Sequence, residues 1–187
     1  DLVQRDFDSS NWVNTDIDMT VSVDTKNASV VLNSSDKPFV SYYDATNGDL
    51  LFTYRTGAVG GAWQTPVAVD STGDVGRTSV IQLDQDGKVH IIYYDTTNTQ
   101  LKYATNASGS WVLDTVITVG DYVTTIGLQR PFGFVRDDTG TLHVLYRKVS
   151  DKKIYYISNS GGGWSTPTEI FANSGDYVGD EINLILR

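Results

Sequence analysis

The sequence predicts an all-β fold of repeated four-stranded antiparallel sheets, and three observations predict it. Phe39-Val40-Ser41-Tyr42-Tyr43-Asp44 recurs as His90-Ile91-Ile92-Tyr93-Tyr94-Asp95 and, more loosely, as His143-Val144-Leu145-Tyr146-Arg147. A tryptophan follows each copy, at Trp63, Trp111 and Trp164, and Trp12 precedes them all, with spacings of 51, 48 and 53 residues. No segment carries a 3.6-residue apolar period, so almost no helix is expected. A period near 50 residues with β-rich runs between turn signals is the signature of a β-propeller, whose blades are four-stranded sheets arranged radially.

The elements follow from that period. Leu2 to Trp12 has the same ten-residue spacing as Leu101 to Trp111, so Leu2–Phe7 reads as a third strand and 12–20 as a fourth. The first complete blade covers about 26–70, with turns at Asn33-Ser34-Ser35-Asp36 and Asp44-Ala45-Thr46-Asn47-Gly48. The second covers 77–119. There Thr78 to Leu83 closes on the hairpin signal Asp84-Gln85-Asp86-Gly87, and Lys88 to Tyr94 is a second strand whose His90-Ile91-Ile92-Tyr93-Tyr94 core is continuously apolar or aromatic, which predicts burial on both faces. Gln100 to Thr105 and Trp111 to Thr118 complete it. The third covers about 129–172, and 180–187 repeats a first strand.

The whole of 1–187 therefore reads as one propeller domain of three complete blades plus an incomplete fourth that lacks its second strand. The strands flanking that slot carry Leu2, Val3 and Phe7 on one side and Ile182, Leu184 and Leu186 on the other. Unpaired edges of this kind invite pairing with another chain. The expectation is a piece of a longer protein, or copies that complement one another.

Composition narrows the partners. With 40% hydrophobic residues the chain can build a core, and a net charge of −9 disfavours nucleic acid and anionic membrane. No apolar run approaches the ~20 residues of a membrane helix. Cysteine is absent, which excludes disulfides, thiolate zinc sites and cysteine nucleophiles. Asp1-Leu2-Val3-Gln4-Arg5 has neither the basic nor the apolar part of a secretory signal, so a mature, processed form is expected. Asn27, Asn33 and Asn106 open N-x-[ST] sequons, which a chain rich in Asn, Ser and Thr also produces by chance.

Ser41-Tyr42-Tyr43-Asp44, Leu101-Lys102-Tyr103-Ala104 and the Gly/Ser turn before Trp resemble the tandem repeats of bacterial extracellular β-propellers. Asn106-Ala107-Ser108-Gly109-Ser110-Trp111 and Asn159-Ser160-Gly161-Gly162-Gly163-Trp164 also resemble, in degenerate form, the Asp-box between third and fourth strands of sialidase-like propellers. The resemblance implies an extracellular or cell-surface address. A sialidase-like hydrolase would need an arginine cluster, a tyrosine nucleophile with a carboxylate partner and about six blades, as the resemblance implies.

Blade geometry sorts the loops onto two faces. One face collects Arg77, Arg130, Tyr122, Tyr177, Asp95 and Arg147, and arginine forks beside tyrosine and carboxylate suit a polar ligand such as a glycan. The competing reading is structural: arginine paired with a neighbouring Asp, tyrosine packed between blades. Four tryptophans at one repeat position are expected to plug the gaps between blades. His90 and His143 are equivalent, and no carboxylate or third histidine recurs beside them in sequence, so they read as inter-blade residues and not as a metal pair. The Asp84-x-Asp86-Gly87 and Asp137-Asp138-x-Gly140 turns read as hairpins and not calcium loops. No nucleophile elbow, phosphate loop or zinc motif is present. The sequence thus predicts a non-enzymatic module without metal or cofactor, acting in assembly or adhesion by strand complementation. The alternatives are a lectin-like propeller and a fragment of a sialidase-like glycoside hydrolase.

Overall fold

A computed structural model of the chain describes residues 2–7, 12–18, 28–57, 61–119, 132–148, 150–171 and 182–185. The described residues contain fourteen strands: β1 (Leu2–Phe7), β2 (Trp12–Asp18), β3 (Ser29–Leu32), β4 (Pro38–Asp44), β5 (Asp49–Tyr54), β6 (Val67–Asp70), β7 (Val75–Leu83), β8 (Val89–Asp95), β9 (Gln100–Thr105), β10 (Val112–Thr118), β11 (Phe132–Arg136), β12 (Leu142–Lys148), β13 (Lys153–Ser158) and β14 (Thr168–Phe171). They form one two-stranded sheet, β1-β2, and three four-stranded antiparallel sheets, β3-β4-β5-β6, β7-β8-β9-β10 and β11-β12-β13-β14. Each sheet is a meander of consecutive strands, as short antiparallel connections demand.

The registers superpose the repeats residue by residue. Asp44 pairs with Asp49, Asp95 with Gln100 and Lys148 with Lys153, at the same place in each ladder. The Tyr-Tyr-Asp strand is the second of its sheet, and all seven residues of β8 are buried, as its unbroken apolar run requires. The hairpin signals act as read. The Oδ1 atoms of Asn33, Asp84 and Asp137 each accept two turn amides, from Ser35 and Lys37, Asp86 and Lys88, and Thr139 and Thr141.

The core lies between sheets. One cluster joins Leu50, Phe52 and Val69 of the first four-stranded sheet to Val75, Ile81, Ile91 and Tyr93 of the second. The next joins Ile92, Tyr94 and Leu101 of the second to Phe132, Phe134, Val144 and Ile157 of the third. Tryptophans close both seams: Trp111 meets Phe52 edge-on at 5.4 Å and Trp164 meets Tyr103 edge-on at 5.8 Å. Phe52 and Tyr103 are equivalent third-strand residues, so the inter-blade role expected of these two tryptophans holds. The side chains of Phe7 and Trp12 lie outside the described set, and so does Leu186.

Residues 182–185 run against β11. A Cβ on Gly133 would stand 3.1 Å from the Leu184 amide nitrogen and 3.2 Å from its Cβ. Within the chain Ser29 Oγ accepts from the Ile81 amide at 3.3 Å, and Ser29 is the residue of β3 equivalent to Gly133. Leu184 thus takes the place of Ile81 beside the preceding sheet. Residues 182–185 carry no strand ladder among the described residues, although the sequence predicts a strand there.

Candidate functional site

The seam between the first two four-stranded sheets brings three of the expected chemistries together. The turn before β7 passes over the β4–β5 turn, with the Val75 amide donating to the Gly48 carbonyl at 2.9 Å. That contact places Asp74 beside Tyr43, whose hydroxyl donates to Asp74 Oδ1 at 2.8 Å. Arg77 Nε donates to the same carboxylate at 3.1 and 3.3 Å, and its guanidinium carbon lies 5.5 Å from the Tyr43 ring centroid. Arg77 is 44% exposed and Asp74 33%, so a guanidinium over the aromatic ring and a carboxylate at the ring's hydroxyl both reach solvent. The bond to Asp74 holds Arg77 further above its already high pKa, and burial is the main cause of the rise at the Tyr43 hydroxyl.

A second polar group lies deeper in that seam. Asp70, 3% exposed, accepts from the Tyr93 hydroxyl at 2.7 Å and from Lys102 Nζ. Burial pushes the Asp70 carboxyl up, but the bonds from Lys102, Tyr93 and the Thr72 amide outweigh it and hold it below the usual range. Lys102 also lies 3.9 Å from Asp95 Oδ2 and 5.6 Å from the Tyr93 ring. Asp95 itself is fully buried and accepts from the Asn98 amide and side chain, the place Asp44 takes with Thr46 and Asn47 in the preceding sheet.

Of the expected ligand-facing residues, Arg77 therefore meets the requirement of exposure. Asp95 does not: it is a buried turn cap, because two amide donors in the β8–β9 turn need an acceptor. Arg147 is 7% exposed and stands in β12 where Tyr43 and Tyr94 stand in β4 and β8. Arg130, Tyr122 and Tyr177 lie outside the described residues, as does Asn27. Asn33 and Asn106 commit their side-chain oxygens to the backbone, the latter to the Val89 amide at 2.8 Å. A sequence signal that points to Asp74 is its Gly-Asp pair: Gly73-Asp74 recurs as Gly120-Asp121 and Gly175-Asp176.

The histidines require a correction. A carboxylate does recur beside each, six residues earlier in sequence: Asp84 Oδ2 lies 3.4 Å from His90 Nε2, and Asp137 Oδ2 lies 3.1 Å from His143 Nε2. The hairpin folds residue and partner together, which linear adjacency hides. Among the described residues no three His, Cys, Asp or Glu side chains gather closely enough to hold a metal ion, and no helix is long and apolar enough to cross a membrane.

No family model matches the chain, and no curated protein matches it. Solved structures do. A fucose lectin from Kordia zhangzhouensis in complex with methyl-fucoside matches at 16% identity and TM-score 0.49, over 79% of this chain and 100% of that one. An exo-β-1,3-galactanase from Phanerochaete chrysosporium with β-1,3-galactotriose matches at 13% identity and TM-score 0.51, over 87% of this chain and 42% of that one. The fucose-specific lectin from Aleuria aurantia matches at 20% identity and TM-score 0.51, over 90% of this chain and 53% of that one. This chain thus spans about half the length of the last two, or less. What the likeness establishes is a propeller-like, all-β fold.

Proposed function

We propose that the chain is a non-enzymatic, extracellular, carbohydrate-binding propeller module, with Asp74 and Arg77 as ligand-facing groups. The observation that carries this reading is the solvent-reaching Arg77–Asp74 pair, with the guanidinium over the Tyr43 ring and the carboxylate at its hydroxyl, at a seam between two sheets. A carboxylate and a guanidinium fork side by side can bond neighbouring sugar hydroxyls as acceptor and donor. Two solved structures of like fold carry fucose-specific or galactan-directed names, which supports carbohydrate as the ligand class. A hydrolase has less support, because the buried Asp44, Asp70 and Asp95 are each committed to turn amides or to Lys102. Screening against a glycan array tests the proposal. A hit weakened at least tenfold by Arg77→Ala and by Asp74→Asn supports it; a hit untouched by both removes this siting, and no hit removes the reading.

A second reading, assembly through an incomplete blade, is favoured by one comparison inside the chain. Val30, Ile81 and Phe134 occupy the same position of their sheets, yet Val30 is 63% exposed while Ile81 and Phe134 are each 2% exposed. Among the described residues Val30 of β3 lacks the cover that Ile81 and Phe134 have, as three complete blades and a partial fourth would leave it. Completion would come from further β structure, in copies of the chain or in the remainder of a longer one. Sedimentation at several concentrations tests this, and a 20.5 kDa monomer throughout removes it.

A further inference from the structure

We propose that the uncovered face of β3 is an interface with a second copy of this chain, whose Ile185 packs onto Val30 and Leu32. The proposal rests on the assembly reading and adds the partner, the surfaces and the anchor.

The template is the contact the chain already makes between its own sheets. Val31 of β3 packs onward against the cluster containing Ile81, with Leu83 beside it. Leu184 stands against Gly133 as Ile81 stands against Ser29, so Ile185 occupies the position of Val31. The residues that Ile185 would meet on the next sheet are the counterparts of Ile81 and Leu83, namely Val30 and Leu32. Both halves of that contact are present and neither is used. Ile185 is 75% exposed, Val30 63% and Leu32 55% in one and the same chain, so they do not cover each other within it. Around Val30 and Leu32 lies an apolar cleft of about 310 Å³, walled also by Val3, Ile17, Val40 and Trp63. Of its described lining side chains Arg5 alone carries a charge. Exposed apolar residues grouped in this way mark interaction surfaces.

The geometry is heterologous: the end of one copy meets the beginning of the next, and the junction gathers 182–185 of one copy with the β1-β2 hairpin of the other. Such contacts close into rings when the rotation allows and otherwise extend. The chain that joins its own sheets by this surface needs no new chemistry to join a second copy.

The absence of native cysteine makes the test direct. Val30→Cys and Ile185→Cys are prepared separately, mixed, and oxidised; both positions are exposed, so neither change disturbs the fold. The proposal expects a disulfide-linked species near twice 20.5 kDa in the mixture, at least tenfold above either variant alone. It also expects Val30→Glu to weaken wild-type association at least tenfold in sedimentation. Association without the mixed cross-link overturns the proposal and leaves the assembly reading standing. A monomer at every concentration overturns both. A disulfide formed within one chain of the doubly substituted protein also overturns the proposal, since Ile185 would then cover its own Val30. Glycan binding is read separately and is unaffected by each outcome.

Discussion

Nδ1 of His90 lies 2.5 Å from the hydroxyl of Tyr103, thirteen residues further on, and His143 stands 2.6 Å from Tyr156 in the same way one sheet later. Each ring is stacked on its tyrosine at 5.9 Å. With Nε2 protonated toward the turn aspartate and Nδ1 accepting the tyrosine proton, every polar atom of the neutral imidazole is satisfied. The histidine therefore ties the first hairpin turn of its sheet to the third strand. In the first sheet the positions hold Asn33, Phe39 and Phe52, an apolar version of the tie in which the rings lie 6.2 Å apart.

That tie makes stability fall in acid. Burial is the main cause that lowers the pKa of His90, against the pull of Asp84. The unfolded chain then binds more protons than the folded one as pH drops through about 6.5, and stability declines until the lowered folded value is passed. Asp84 adds a second window. Burial raises its pKa, but the Lys88 amide and His90 outweigh that and depress it, so its contribution is present above about 4 and is lost as pH falls through the folded value. Urea midpoints should be lower at pH 5 than at pH 8, and His90→Phe should flatten that difference. Equal midpoints for the wild type would refute the account.

Trp111 should be among the most costly single residues to truncate. It closes the seam against Phe52 and packs on the cluster around Ile81, so Trp111→Ala removes a large ring and leaves a cavity. The expected loss is about 3 kcal/mol or more. Trp111→Phe keeps much of the ring area and should cost less than half of that. Chemical denaturation of the two variants decides it, and comparable losses would show that ring contact is not what matters.

Lys102 is held by the buried Asp70, and removing one partner strands the other. Lys102→Leu, which copies Leu51 at the equivalent place in the first sheet, leaves a carboxylate 3% exposed without its cation. The expected cost is about 3–5 kcal/mol. Asp70→Asn combined with Lys102→Leu should recover at least half, because the uncompensated charge goes with it. Additive losses in the double-mutant cycle would mean the pair is not coupled.

Local signals were legible and cross-sheet ones were not. Turn residues and short β-rich runs act over a few residues and the Trp repeat marks where each unit recurs, and the sheets follow them: Gln100 to Thr105 is read and found with the same ends. The Tyr43 to Asp74 contact spans 31 residues, from a strand of one sheet to the turn before the next, and the Lys102 to Asp70 contact spans 32 residues between two sheets, and only packing chooses them. Asp95 shows the reverse error. Its carboxylate looks available on a loop-bearing face, but the turn's own amides claim it first. At the far end, 182–185 has the pattern of a strand, yet a ladder needs a partner that pattern alone does not supply.

Gly76 tests how tightly the sheets are keyed together. Its φ of +92° suits glycine, and a Cβ there would stand 2.8 Å from both Cα and Cβ of Leu50, a fully buried residue of the neighbouring sheet. Gly76→Ala combines backbone strain of about 1–3 kcal/mol with overpacking of similar size. Gly87 is the control: its φ is +74° and nothing lies within 4 Å, so Gly87→Ala carries the strain alone. Denaturation should therefore show Gly76→Ala costing at least about 1 kcal/mol more than Gly87→Ala. Leu50→Ala keeps the Cα and Cβ that the new methyl group would meet and removes only Cδ1, 3.1 Å away, so most of the additional cost of Gly76→Ala should persist when the two are combined. If Gly76→Ala costs no more than Gly87→Ala, the close approach of the two sheets is not what makes glycine necessary at position 76.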